Sequence, residues 1–119
     1  MATNPDTELF QQEGYNEMGH GFLEEVYQES TEIELNERGI PFTSQPKLQL
    51  FYKGKPLRKY YEADLIVIGE IAVELKAVKA ILPEHEAQLI NYLRATKKRV
   101  GYLVNFGSHP LLEWRRRVL

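Results

Sequence analysis

Two carboxylates and one lysine, Asp64, Glu74 and Lys76, fall close together in an apolar part of the sequence. Side chains two apart on a β-strand project from the same face, so an extended segment would set Glu74 beside Lys76. Carboxylates are the ligands that Mg²⁺ prefers, with water and substrate phosphate filling its other positions. A neighbouring lysine could orient or deprotonate an attacking water, or offset charge in the transition state. These residue types at this spacing suit metal-dependent hydrolysis of phosphodiester bonds.

Whether Asp64 meets Glu74 depends on the register of the hairpin that joins their two strands. A two-residue turn at 69–70 would send the carboxylates to opposite faces, whereas a three-residue loop at 68–70 pairs them. Only the second register sorts the side chains cleanly, because one face is then wholly apolar: Leu65, Val67, Ile71, Val73 and Leu75. The other face carries Asp64, Ile66, Ala72, Glu74 and Lys76. Gly69 suits such a loop, which commonly needs a positive φ, so the sequence favours convergence of the carboxylates.

An ordinary Glu-x-Lys pair on a strand is more often a solvated pair than part of a site. Asp64 shifts that balance, because two carboxylates and Lys76 would share a face with Ile66 and Ala72. A purely structural domain with a charged sheet face stays open as an interpretation, and it predicts no metal binding.

Length and composition limit the class of protein. A chain of 119 residues is expected to form one domain, and 43% hydrophobic residues exclude a disordered chain. The absence of cysteine excludes a disulfide scaffold and a thiolate zinc site. Because neither a secretory signal nor a membrane-spanning run is found, we expect a cytoplasmic protein with no membrane association. Mg²⁺ is then the expected metal, and Mn²⁺ would also fit.

The net charge of −2 argues against a strong nonspecific grip on nucleic acid, which depends on lysine and arginine. The charge is uneven, however: residues 1–40 are acidic, while residues 97–99 and 115–117 form basic clusters. Solvated surface is the more common role of such clusters, although a basic run beside Trp114 could touch nucleic acid.

Periodicity and turn residues predict an order of helix, three strands, helix and strand. Residues 1–15 form a polar N-terminal segment that frays or makes a short helix, and residues 16–119 form the domain. The predicted elements are a helix at 22–38, strands at 47–52, 60–68 and 71–78, a helix at 83–96, and a strand at 100–105.

Gly21, Glu24 and Tyr27 match the Gly-x-x-Glu-x-x-Tyr signature of the GxxExxY proteins. That family belongs to the PD-(D/E)xK nuclease superfamily, whose fold is shared by many restriction enzymes and RecB-type exonuclease domains. Further similarities follow in order over roughly residues 18–119: Glu34, Leu35, Gly39, Ile40, Gln45, Tyr52, Lys53, Gly54, Asp64, Val73, Glu74, Leu75, Lys76, Pro83, His85, Gln88, Tyr92, Leu93, Gly101, Asn105, Phe106 and Gly107. The resemblance implies an α/β, restriction-endonuclease-like core with a mixed four-stranded sheet flanked by helices.

The resemblance also implies roles for individual residues. Asp64 and Glu74 would bind the metal together with the backbone carbonyl of Leu75, and Lys76 would be the catalytic lysine. Glu24 resembles the additional acidic residue that many members of the superfamily aim at the metal. A glutamate on a helix surface is otherwise usually solvated.

Gln88 and Tyr92 resemble the Gln-x-x-x-Tyr motif that follows Glu-x-Lys in RecB-like nucleases. His85, Gln88 and Tyr92 fall on one helical stripe, which could present hydrogen-bonding groups to the site or to DNA. Gln88 and Tyr92 could equally buttress the sheet, and a histidine near a helix start usually bonds the helix end. Position 62 holds a glutamate where the family more often has arginine, and it adds negative charge beside the site.

The sequence therefore predicts a Mg²⁺-dependent deoxyribonuclease. A chain this small has limited surface with which to grip a duplex, so a homodimer is plausible. The alternative is a nuclease-fold module that binds nucleic acid or a partner protein without cutting. The retained Asp64, Glu74 and Lys76 favour the enzyme, while Glu62 and the negative net charge favour the binding module.

Overall fold

The structure is a computed structural model that describes the backbone of residues 5–119 and the side chains of residues 12–119. The first four residues of the predicted polar segment at 1–15 lie outside this part, and the remainder belongs to the first helix. In chain order the elements are α1 (Pro5–Met18), α2 (Glu24–Glu37), β1 (Phe42–Ser44), β2 (Lys47–Tyr52), β3 (Lys55–Glu62), β4 (Leu65–Val67), β5 (Ile71–Lys76), α3 (Pro83–Thr96), β6 (Val100–Asn105) and β7 (Glu113–Val118).

The strands form a mixed five-stranded sheet of order β1-β4-β5-β6-β7 and a separate two-stranded hairpin of β2 and β3. β5 pairs with β6 in parallel, and the other pairs of the large sheet are antiparallel. The predicted mixed sheet flanked by helices is confirmed. The predicted number of strands, four, and the predicted element order are wrong in detail. The large sheet also contains β1 and β7, whereas β2 belongs to the separate hairpin.

The predicted strand at 60–68 is two strands. β3 ends at Glu62 in the small hairpin, and β4 begins at Leu65 in the large sheet. Ala63 and Asp64 carry the chain from one sheet to the other, and Ala63 is fully buried at this crossing. The period of two continues through the crossing, so the sequence pattern does not reveal the change of partner.

The two faces of the large sheet pack against different helices. The apolar face predicted for β4 and β5 lies against α1 and α2, in a core that includes Tyr15, Tyr27 and Leu35. The opposite face packs Ile66, Ala72 and Leu103 against Leu89 and Leu93 of α3. Among the described residues no helix is long and apolar enough to cross a membrane.

The predicted register of the β4–β5 hairpin is confirmed. Val67 pairs with Ile71 and Leu65 with Val73, which leaves a three-residue loop between the strands. Both Ile68 and Gly69 have positive φ, 56° and 70°, a conformation that costs glycine little. This register brings residue 64 level with residue 74, one position beyond the last strand pair.

Candidate active site

Asp64 is held by the backbone of the central strand β5. Its Oδ2 accepts a hydrogen bond from the Leu75 N–H at 2.7 Å, and its own N–H donates to Glu74 Oε1 at 3.3 Å. Asp64 lies just after the crossing between the sheets, where the backbone has left β3 and is free to bond across to β5. The two predicted carboxylates are therefore brought together by reciprocal bonds between side chain and backbone.

Tyr61 gives Glu74 a second fixed partner. Its hydroxyl donates a short hydrogen bond to Glu74 Oε1. The Tyr61 ring stacks on Tyr92 of α3, with centroids 3.9 Å apart and planes 9° apart. The sequence prediction missed Tyr61, because only the pairing of β2 with β3 shows that it faces inward while its neighbour Tyr60 faces outward.

Burial and mutual repulsion make both carboxylates reluctant to ionise. Burial, followed by the negative charge of Asp64, raises the pKa of Glu74 to about 7, although the Tyr61 hydrogen bond opposes this. Burial also raises the pKa of Asp64, and the charges of Glu24 and Glu62 add to the effect. The Leu75 N–H and the Lys76 ammonium act in the opposite direction on that pKa. A bound cation would relieve this repulsion.

Glu24 lies on the other side of Asp64, in the first turn of α2. It lines a groove with Asp64 and Leu75 whose remaining wall comes mainly from α2: Glu25, Gln28, Glu29 and Glu32. Gln28 donates to the Asp64 carbonyl oxygen at 2.9 Å and so ties α2 to the crossing. The predicted metal ligands Glu24, Asp64 and Leu75 therefore share one groove.

Tyr27 explains the spacing of the Gly-x-x-Glu-x-x-Tyr pattern. Its hydroxyl donates to the Gly19 carbonyl oxygen at 2.7 Å and accepts from the Phe22 N–H at 3.2 Å. The buried ring stacks on Phe106 with centroids 4.4 Å apart. Gly21, at φ 102°, adopts a conformation that other residues rarely take. The pattern fixes the loop before α2 and thereby the position of its first turn.

Glu74 and Lys76 face a second cavity, of about 220 Å³, on the α3 side of the sheet. The predicted stripe of His85, Gln88 and Tyr92 lines it with them, as do Tyr60, Tyr61, Glu62, Leu89 and Leu103. His85 Nδ1 accepts a hydrogen bond from the Leu82 N–H at 3.0 Å, which is the helix-end role expected of such a histidine. Gln88 Nε2 donates to the Tyr92 hydroxyl at 3.4 Å. The structure thus brings the stripe and the Glu-x-Lys pair together.

A mixed sheet whose central strand carries Glu74 and Lys76, with Asp64 hydrogen-bonded beside them, defines a restriction-endonuclease-like domain. A sequence model of the PD-(D/E)XK nuclease superfamily matches residues 10–117, so the chain belongs to that superfamily. The fold is also similar to the crystal structure of SSO0001, with a TM-score of 0.62 and 19% sequence identity. That match covers 79% of this chain and 48% of the other, so the chain spans about half the length of SSO0001. No curated protein matches the chain.

The residues present fit a hard divalent cation. Every proposed ligand atom is an oxygen, and the hydrogen bonds between these residues engage one oxygen of each carboxylate, Asp64 Oδ2 and Glu74 Oε1. In the described part of the chain no three acidic, histidine or cysteine side chains gather into a ready metal site. Glu24, Asp64 and Glu74 are thus not gathered into one three-carboxylate site.

Proposed function

We propose that this chain is a metal-dependent nuclease that hydrolyses phosphodiester bonds in DNA. The observation that carries the proposal is the hydrogen-bonded pair of Asp64 and Glu74, with Glu74 and Lys76 facing a cavity lined by hydrogen-bonding groups. Membership of the nuclease superfamily supports it. Its similarity to the GxxExxY proteins, a cytoplasmic location and a homodimer are parts of the same proposal.

Asp64, Glu74 and the carbonyl of Leu75 would hold Mg²⁺ or Mn²⁺, with Glu24 reaching in from the groove. When bound, such a cation lowers the pKa of a coordinated water and polarises the scissile phosphate. The Asp64–Leu75 hydrogen bond fixes one carboxylate and the Tyr61 hydroxyl fixes the other, so both are oriented in advance.

Lys76 supplies the positive charge beside these carboxylates. Its half-buried side chain lines the same cavity as Glu74, where it would orient the attacking water and offset charge on the phosphate. His85 accepts at Nδ1, so its neutral form carries the proton on Nε2 and has a donor for a phosphate oxygen. Gln88 and Tyr92 would add further donors along the same side of the cavity.

The acidic wall of α2 favours a second candidate, a module that binds without cutting. This helix carries six glutamates and no basic residue, and Glu62 adds negative charge at the cavity. Such a wall repels a polyanion from one side of the site. A protein with this wall could retain the fold for binding a partner rather than for hydrolysis.

The test is cleavage of single-stranded, duplex and branched DNA with Mg²⁺ or Mn²⁺, comparing wild type with Lys76→Ala. A matched control is Lys79→Ala, which removes an exposed lysine outside both the groove and the cavity. We expect metal-dependent cutting that Lys76→Ala abolishes and Lys79→Ala preserves. Wild type as inert as Lys76→Ala, with DNA still bound, would refute hydrolysis and favour the binding module.

A further inference from the structure

The β2–β3 hairpin, residues 47–62, stands outside the five-stranded sheet. Its inner side is packed, since Leu48, Leu50 and Tyr61 belong to the core beneath α3. Every residue from 51 to 60 is exposed, including the Lys53–Gly54 turn. One side of the hairpin is therefore anchored, and the other side and tip face solvent.

The exposed part of the hairpin is strongly basic. It carries five cations and one acidic residue, Glu62, in a chain whose net charge is −2: Lys47, Lys53, Lys55, Arg58 and Lys59. Within the part of the chain that the structure describes, none of these cations forms a salt bridge. The basic hairpin and the acidic helix α2 thus flank the site with opposite charges. A polyanion would be attracted to the hairpin and repelled by α2.

Aromatic side chains lie among these cations. Tyr52, Tyr60 and Phe51 are 62%, 50% and 42% exposed. Lys47 Nζ lies 5.1 Å from the centroid of the Tyr60 ring, and Lys53 Nζ lies 5.5 Å from that of Tyr52. Exposed aromatic rings interleaved with lysines provide both a stacking surface for bases and charges for phosphates.

The hairpin leads directly into the cavity. Tyr60 and Glu62 line it together with Glu74 and Lys76. Gln49 pairs with Tyr60 across the hairpin, so the exposed side of β2 continues toward the same rim. A strand lying along the hairpin would reach the carboxylates without crossing the acidic wall.

We propose that the hairpin binds single-stranded nucleic acid and feeds it to the Glu74 cavity. Bases stack on the exposed rings of Phe51, Tyr52 and Tyr60, and the neighbouring lysines hold the phosphates. A duplex is a poorer ligand because its bases are already stacked on one another. The binding stands on the hairpin alone, and only the fate of the bound strand rests on the proposed function.

The test measures fluorescence anisotropy of labelled oligothymidylate and of a duplex of the same length, using the full chain in EDTA. An aromatic variant combines Phe51→Ser with Tyr52→Ser, and a charge variant combines Lys53→Gln with Lys55→Gln. The control, Lys97→Gln with Arg99→Gln, removes two exposed charges that follow the C-terminal end of α3, outside the hairpin. All of these side chains are exposed, so each variant is expected to keep the wild-type melting temperature.

We expect the aromatic variant to bind oligothymidylate about fivefold or more weakly, with little change for duplex. The charge variant should lower the slope of log affinity against log salt by about 1.4, as expected for the loss of two phosphate contacts. The control should bind like wild type. Wild-type affinity in both hairpin variants, or duplex binding as tight as single-strand binding, would overturn the proposal.

Lys76→Ala separates this inference from the proposed function, because it should abolish cleavage but keep the preference for oligothymidylate over duplex that the hairpin confers. A wild type that binds through the hairpin but never cuts would refute the nuclease and preserve the hairpin site. If the wild type cuts DNA, and both hairpin variants cut and bind as well as the wild type does, the hairpin site alone would be refuted.

Discussion

Glu74 Oε1 accepts two hydrogen bonds, one from the Tyr61 hydroxyl and one from the Asp64 N–H. Tyr61 lies on the small hairpin and Asp64 follows the crossing into the large sheet, so one carboxylate oxygen joins both parts of the fold. The position of Glu74 therefore depends on both sheets. A change at either hydrogen-bond partner should alter the pKa of Glu74.

Tyr61→Phe should shift the acidic limb of the pH–rate profile upward by about one unit. The Tyr61 hydrogen bond lowers the pKa of Glu74, so its loss raises that pKa above its present value of about 7. The measurement is cleavage rate against pH at metal concentrations well below saturation, where the limb reports the ionisation of Glu74 in the metal-free protein. Tyr52→Phe is the control, because this exposed tyrosine does not line the cavity and should leave the limb in place. An equal shift in both variants would contradict this role of Tyr61.

Metal-free protein should lose stability as the pH rises from about 4.5 to about 7. Glu74 has a higher pKa when folded than when unfolded, so in this window the folded state binds more protons and each rise in pH favours unfolding. The effect is complete above pH 7 and absent below the unfolded pKa. Asp64, whose pKa is also raised, contributes in the same direction.

Urea unfolding of wild type and Glu74→Gln in EDTA, at pH 5 and pH 8, isolates the part due to Glu74. Between pH 5 and pH 8, the free energy of unfolding of the wild type should fall by on the order of 2 kcal/mol more than that of Glu74→Gln. Parallel losses in the two proteins would show that Glu74 does not titrate in this range.

Metal affinity should depend far more on Glu74 than on Glu24. Glu74→Gln removes a proposed ligand that the Asp64 N–H and the Tyr61 hydroxyl already orient, whereas Glu24 is an exposed side chain at the edge of the groove. Calorimetric titration with Mn²⁺ should show a loss of at least tenfold for Glu74→Gln and less than tenfold for Glu24→Gln. Equal losses would place Glu24 among the direct ligands.

Tyr27→Phe should destabilise the protein by about 1–2 kcal/mol, because it removes the hydroxyl that bonds Gly19 and Phe22 while the ring stays stacked. Tyr27→Phe should also reduce activity, because it loosens the loop that positions the first turn of α2. This reduction should be no larger than that of Glu24→Gln, since Glu24 is the residue of the proposed site that this turn carries. Tyr15→Phe is a matched control, because that hydroxyl donates to the Ser108 carbonyl oxygen. The control should lower the midpoint of urea unfolding without lowering activity per folded molecule.

The convergence of Asp64 and Glu74 was predictable because strand periodicity is strict. A slip of one residue would have exposed an apolar face, so the side chains themselves specified the β4–β5 register. The helical stripe of His85, Gln88 and Tyr92 was predictable for the same kind of reason, since helix spacing sets which side chains align.

Other features left no such pattern. β1 has only three residues, and β7 contains three consecutive arginines, so neither shows the alternation of a half-buried strand. The role of Tyr61 depends on the partner that β3 chooses, and local sequence does not distinguish it from Tyr60. Likewise, the change of sheet at Ala63 arises from tertiary packing, since Ala63 is fully buried there.

The crossing between the sheets also sets how the hairpin moves. Its two connections to the large sheet are bonded to each other, by the Gln45 N–H to the Asp64 carbonyl at 2.9 Å and the Ala63 N–H to the Pro46 carbonyl at 3.3 Å. A mobile hairpin would need flexible connections. Here the two connections are hydrogen-bonded to each other, and the Asp64 carbonyl is one of the acceptors. Swinging the hairpin would break these two hydrogen bonds, one of which is accepted by Asp64, so we expect the hairpin to stay fixed and the entrance to the cavity to keep its shape.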